Sequence, residues 1–276
     1  MKAKMLTFTN QDSPVHRLTG ATKLIVFTVW SVSAMVTYDT RCLLVMLLIS
    51  LAIFRISRVR FQDYAFVLYF ILLFFLLNHL AIFIFSPLEG TRIYGARHDL
   101  LHLGGRYTLT AEQLFYQFNI ALKYAVVIPM ALLFLLTTDP SEFAASLNRV
   151  GVNYKIAYSV SLALRYIPDI QRDYENISFS AQARGIDISR KEKLPRRLKN
   201  IVSILMPLIL SSIERIEKIS TAMELRGFGS NRKRTWYSAR PFARNDYVVV
   251  ALILGMAVAV TVITFYDGSR FYNIFK

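Results

Sequence analysis

Apolar residues in this chain fall into long unbroken runs, and short charged stretches separate them. Residues 64–85, YAFVLYFILLFFLLNHLAIFIF, contain no Lys, Arg, Asp or Glu over 22 positions, and residues 247–266 contain none over 20. At ~1.5 Å of rise per residue, about 20 residues cross ~30 Å of hydrocarbon, so both runs predict spanning helices. Three further runs need an allowance. Residues 24–38 are charge-free between Lys23 and Asp39, residues 42–54 offer only 13 positions, and residues 113–138 are interrupted by Lys123. Basic side chains near helix ends reach back to the headgroups, and short helices thin the bilayer or pack inside a bundle. All three are therefore read as spans, with a short buried or re-entrant segment as the alternative for 42–54.

Between the fourth and last spans the pattern changes. IAYSVSLALRYIPDI and IVSILMPLILSSIERIEKISTAMEL are helix-like and apolar, but their charge-free runs stop at 9 residues (156–164) and 13 residues (201–213). Those lengths suit helices lying at a membrane surface or packed on a partner. Pro168 and Pro207 are expected to interrupt and bend them. The stretch SRKEKLPRRLKN reads as a basic turn, suited to anionic headgroups or to solvent.

The composition, 54% hydrophobic with a formal charge of +15, acquires meaning from where the charge sits. Lys2, Lys4, Arg17 and Lys23 precede the first span, and Arg55, Arg58 and Arg60 lie between the second and third. The first two spans are joined by a connection holding only Asp39 and Arg41, whereas residues 139–246 carry 19 basic against 11 acidic side chains. By the positive-inside rule the amino terminus and residues 139–246 are expected in the cytoplasm and the tail YDGSRFYNIFK outside. The basic charge thus tracks the membrane, and no nucleic-acid partner is expected. The expected fold class is an all-α integral membrane protein, with about five transmembrane helices and long cytoplasmic helices inserted before the last span. Its regions are residues 1–138, 139–246 and 247–276. The first apolar run follows some 20 polar and basic residues and does not read as a cleaved signal peptide. Cys42, the single cysteine, reads as a packing thiol. His98 and His102, four apart in HDLLH, would share one face of a helix and suit a metal. Gly95, Gly104 and Gly105 bracket them, so an ordered surface loop is expected and no metal site.

One motif occurs twice. Shifting the chain on itself by 42 residues pairs Glu175 with Glu217, Ile177 with Ile219, Ser178 with Ser220, Arg184 with Arg226 and Gly185 with Gly227. It also pairs Arg190 with Arg232 and Lys191 with Lys233. Ile177, Ala181 and Arg184 stand at i, i+4 and i+7, as do Ile219, Met223 and Arg226, so each arginine ends an apolar stripe. Gly185 and Gly227 can then take the left-handed conformation that closes a helix. A cation at a helix carboxyl end gains a few tenths to ~1 kcal/mol from the macrodipole, which accounts for one such ending. Two endings with matched stripes suggest a pair of plugs for a dimeric partner, because a guanidinium docks bidentately on carboxylates or carbonyls.

At these residues the chain resembles the T component, the transmembrane coupling subunit, of energy-coupling factor transporters, the family that includes the cobalt-transport permease CbiQ. The resemblance is strongest in LRYIPDIQRDYENISFSAQARGID and LMPLILSSIERIEKISTAMELRGFG. The family's two Ala-Arg-Gly motifs correspond to Ala183, Arg184 and Gly185 and to Leu225, Arg226 and Gly227, the second departing at Leu225. The resemblance implies a non-catalytic subunit in the cell membrane of a prokaryote. Its partners would be two ATP-binding-cassette ATPases, which carry the ATP and Mg, and one membrane-embedded S component that selects a vitamin or transition metal. Arg184 and Arg226 would enter grooves on the ATPases, with Ile177, Ala181, Ile219 and Met223 as apolar contacts. Ala157 and Ser161, with Pro168, Met206 and Pro207, would face the S component. No cofactor is expected in this chain, which lacks a G-x-x-x-x-G-K-[ST] phosphate loop. Two other classes compete: a membrane enzyme using RYIPD or the basic turn, and a secondary carrier, for which Asn78, His79 and Lys123 are the available intramembrane polar groups.

Overall fold

The computed structural model describes residues 13–104, 107–187, 192–231, 235–237, 239–266 and 269–275. They form α1 (Pro14–Arg17), α2 (Gly20–Val36), α3 (Thr40–Ile56), α4 (Phe61–Phe85), α5 (Glu89–Tyr94), β1 (Asp99–Gly104), β2 (Tyr107–Thr110) and α6 (Ala111–Thr137). There follow α7 (Pro140–Arg149), α8 (Tyr154–Ala183), α9 (Leu194–Leu225) and α10 (Arg244–Phe265). The chain divides into two compact units, Met1–Asp139 with Arg240–Lys276, and Pro140–Ala239. The protein is all-α, with a single two-stranded hairpin among the described residues.

In the first unit α6 is the central helix, packed against α2, α3 and α5, while α2 also packs on α10. Its core joins Trp30 and Ala34 of α2, Leu43 and Met46 of α3, Val126 and Met130 of α6, and Ile253 and Val260 of α10. The Trp30 indole N–H donates to the Val126 carbonyl at 3.2 Å, so the largest core side chain keeps its polar atom paired. Among the described residues, 64–85, α6 and α10 are long and apolar enough to cross a membrane. The apolar α2 and the more charged α3 have 17 residues each, about 25 Å of helix, the short limit for a span. Run length alone understates α3. It is a continuous helix with Leu43 and Met46 in the core, capped by the Asp39 carboxylate on the Arg41 N–H at 2.9 Å.

α4 differs from its neighbours. None of its apolar stretch is buried in the chain, as expected of a helix whose surface is apolar on every side. It touches α6 through His79, whose ring nitrogens lie 3.0 Å from the Phe75 carbonyl and 3.2 Å from that of Gln117, and through Phe75 set edge-on to Tyr124. Lys123, the charge inside α6, donates to the Met35 carbonyl at 2.8 Å and lies 3.1 Å from the Tyr38 ring centroid. His79 and Lys123 are thus tied to backbone oxygens, which accounts for both without a substrate path.

Polar clusters close the ends of this unit. At one end Glu112, with no exposed side-chain surface, accepts from the His98 backbone N–H at 3.1 Å and stands 2.6 Å from its ring Nδ1. The expected loop is thus an ordered hairpin, and His98 turns to Glu112 while His102 bonds Thr108 at 2.8 Å. Among the described residues no group of three or more His, Cys, Asp or Glu could hold a metal. The tail packs on the same end, with Tyr38 N–H donating to the Arg270 carbonyl at 3.1 Å and Phe275 among Tyr94, His98 and Phe115. At the other end Asp246, 1% exposed, joins α10 to α2: Oδ1 accepts from Thr19 N–H, Thr19 Oγ1 and Thr22 Oγ1 at 2.9, 3.1 and 2.8 Å, and Oδ2 from Ala243 N–H at 2.8 Å.

Replacing Asp246 by Ala strands buried backbone donors and should cost about 2 kcal/mol or more, read as a lower apparent Tm in detergent. Asp246→Asn should recover part of the loss, because its oxygen serves α2 while its amide meets the Ala243 donor.

Candidate functional site

The second unit is built on small residues and two long helices. α7 packs on α8, with Ala144, Ala145 and Ala157 buried. Asn153 starts α8 by accepting from the Lys155 N–H at 3.0 Å. α8 then runs 30 residues and α9 32, about 45 and 48 Å of helix. Neither proline interrupts its helix. Pro168 and Pro207 sit inside continuous helices, each removing one backbone donor without ending the element. The expected basic turn is also largely helical: Lys193 precedes α9, Pro195 occupies its first turn, and the following basic residues ride on it. Residues 188–191 lie outside the described part.

Both helices end in the same way. Arg184 caps α8 at φ −90°, ψ 10°, and Arg226 caps α9 at φ −86°, ψ 11°. Gly185 and Gly227 follow at φ 82° and 65°. The Gly185 N–H bonds the Gln182 carbonyl at 2.9 Å and the Ile186 N–H bonds Ala181 at 3.1 Å. At the second end Gly227 bonds Glu224 at 2.8 Å and Phe228 bonds Met223 at 2.9 Å. These are two copies of the double closure in which a left-handed residue turns the chain back over the last helical carbonyls. Space does not demand glycine at 185, where an added Cβ would meet nothing within 4 Å; the positive φ does. Arg184 and Arg226 are exposed, and Leu225 beside the second is 84% exposed.

The helices run antiparallel, which carries the two arginine ends apart. Phe228, just past the second end, packs on Tyr154 and Tyr158 at the start of α8, with ring centroids 5.8 and 4.8 Å away. Trp236 lies tilted against Tyr158 and donates to Asn148 Oδ1 at 3.0 Å. At the other extremity Asn200 of α9 donates to the Asp187 carbonyl at 2.7 Å, beside the first end. About two-thirds of the way along both helices, the Asp173 carboxylate of α8 is ion-paired with the Arg215 guanidinium of α9.

The sequence-derived residues divide accordingly. Ala183, Arg184 and Gly185 form one exposed terminus and Leu225, Arg226 and Gly227 the other, while Ile177, Ala181, Ile219 and Met223 are half-buried. Ile219 and Met223 line a cleft of about 340 Å³ with Ala163, Tyr166 and Ile170 of α8, so that stripe turns partly toward its own hairpin. Pro168, Met206 and Pro207 are exposed and Ser161 is half-buried. Ala157 has no exposed surface in this chain, on a helix that packs against α7. The repeat pairs Arg190 with Arg232 and Lys191 with Lys233 lie outside the described residues. Asp173 and Arg215 escaped the sequence reading, although their separation equals the repeat offset of 42. A search for identities passes over opposite charges.

These elements define a multi-span helical membrane protein carrying a hairpin of two long helices, each closed by arginine and glycine. The chain belongs to the cobalt transport protein family, CbiQ, whose model matches residues 11–237. It is 32% identical over 265 residues to the energy-coupling factor transporter transmembrane protein EcfT of Bacillus selenitireducens, covering 93% of this chain and 95% of that one. The EcfT proteins of Lactococcus lactis subsp. cremoris and Bacillus subtilis are 27% and 26% identical, over 90% and 89% of this chain and 92% of each relative. The chain is therefore a transmembrane component of an energy-coupling factor transporter.

Gly185→Ala or Gly227→Ala forces a side chain into a positive-φ site at roughly 1 kcal/mol. Hydrogen exchange should quicken several-fold at the Ile186 amide for the first and at Phe228 for the second, with the α10 amides unchanged.

Proposed function

We propose that this chain couples ATP hydrolysis by two separate ATP-binding-cassette subunits to the inward movement of a micronutrient held by an S component. Arg184 and Arg226 seat in one groove on each ATPase and pair there with acidic or carbonyl oxygens. The supporting observation is the identity of the two closures: matched φ/ψ and matched backbone bonds end helices of nearly equal length at two exposed arginines. A duplicated tip fits a partner that is itself a pair. ATP and Mg belong to those partners, since the chain carries no phosphate loop.

The exposed apolar positions of α8 and α9, among them Ile167, Met206, Ile209 and Leu210, provide a surface for the S component, with Pro168 and Pro207 beside them. Charge placement supports the amino terminus and the α8–α9 hairpin in the cytoplasm and the tail outside. The cargo, a vitamin or a transition metal, is set by the S component.

Truncating or reversing one arm of a desolvated interfacial charge pair costs ~2 to 5 kcal/mol. Arg184→Glu should therefore lower ATPase retention in a pull-down by about 30-fold or more and abolish uptake; wild-type uptake by this variant would remove the assignment. For orientation, a Cys42→Ser chain bearing Ser269→Cys should react with an impermeant maleimide in intact cells. One bearing Gln182→Cys should react only after lysis.

A further inference from the structure

The Asp173–Arg215 pair has a property that its exposure conceals. The two residues are 42 apart, the offset that superimposes the first arginine–glycine motif on the second, so they are counterparts in the repeat. In an antiparallel pair of related helices a residue touches its own counterpart only on the two-fold axis that exchanges them. The contacts around the pair have that sense: Tyr166 and Asp169, before Asp173 on α8, share a cleft of about 580 Å³ with Lys218, Ile219 and Ala222, after Arg215 on α9. From this axis Arg184 and Arg226 stand 11 residues away each, roughly 16 Å along their own helices. Identical residues facing each other on an axis would repel if charged. Here the counterparts carry opposite charge.

We propose that the Asp173–Arg215 ion pair is a positioning latch that holds α8 and α9 at one crossing, so that the two arginine ends move as a single body. Side-chain exposures of 31% and 34% make it too solvated to add much to stability, so its removal leaves the helices folded. It does fix an angle. Each helix has lost a backbone hydrogen bond to a proline on the amino-terminal side of the latch, Pro168 five residues before Asp173 and Pro207 eight before Arg215, and these are the points where an axis yields. The neighbouring charges do not replace it. Asp169 pairs with Arg172 of its own helix at 3.7 Å, and Lys218 adds a third cation to the cleft without a second bridge between the helices among the described residues.

The latch rests on the coupling reading for its purpose but not for its existence, and two measurements separate them. In the purified chain, with Cys42→Ser and spin labels at Gln182→Cys and Glu224→Cys, the inter-label distance distribution should be narrow. It should broaden at least two-fold with Asp173→Asn or Arg215→Gln and narrow again in the Asp173→Arg, Arg215→Asp exchange. Single variants as narrow as the parent, or an exchange that stays broad, would overturn the latch. In the complete transporter in proteoliposomes, the single variants should retain both ATPases yet hydrolyse several-fold more ATP per molecule imported, with the exchange restoring the ratio. An unchanged ratio in the single variants would also overturn it. Failure of the parent chain to retain ATPases would instead sink the coupling reading and leave the distance measurement to decide the latch.

Discussion

In hydrocarbon, a backbone N–H or C=O without a partner costs several kcal/mol, and the first unit of this protein is organised by that penalty. Its helices meet the requirement along their length automatically and at their ends only by design. Asp39 serves the start of α3, Thr110 the start of α6, and Asp246 the starts of both α2 and α10. The acid that joins α10 to α2 is consequently a fastening between elements more than 220 residues apart in the chain. Lys123 and His79, the groups that a carrier would use for cargo, are turned to carbonyls by the same requirement.

In the second unit both long helices end at exposed arginines. A left-handed glycine satisfies the last carbonyls internally, which leaves the capping residue's side chain unoccupied by that task. Placing arginine there turns a structural closure into an exposed charge held by a rigid rod. Doing so twice, with cap angles that agree within a few degrees, makes the two tips comparable objects. Length matters as much as chemistry, because the rods carry the tips to opposite extremities of the hairpin.

Much of this was legible from residue order. The runs at 64–85 and 247–266 announced their helices because hydrophobic length is a local property, and the 42-residue repeat led directly to Arg184 and Arg226. What escaped was set by partners distant in sequence. By sequence α3 reads as a span with a short buried or re-entrant segment as the alternative, because Arg41 and Arg55 trim its apolar run; its full 17 residues follow from Leu43 and Met46 packing in the core. Pro168 and Pro207 looked like breaks, but a long helix tolerates one missing bond when neighbouring turns are intact. The glycines around His98 suggested an ordered surface loop, and the cross-strand pairing of Tyr107–Thr110 made it a hairpin. Ala157 was read as surface because small size is the same signal for an open face and for a tight contact. The tail beyond α10 carried no periodicity at all, and its place is set by distant neighbours: Phe271 beside Tyr38, Phe275 beside Tyr94, and Asn273 donating to the Tyr94 carbonyl.

The residue that follows each terminal glycine is not the same on the two sides. Ile186 is half-buried on its own account, while Phe228 is wedged between two tyrosines and backed by Trp236. One extremity is thereby held in an aromatic box and the other by the Asn200 amide on the Asp187 carbonyl, with an alanine at 183 against an exposed leucine at 225. An object with such unequal poles has a polarity: turned end for end it is no longer superimposable on itself.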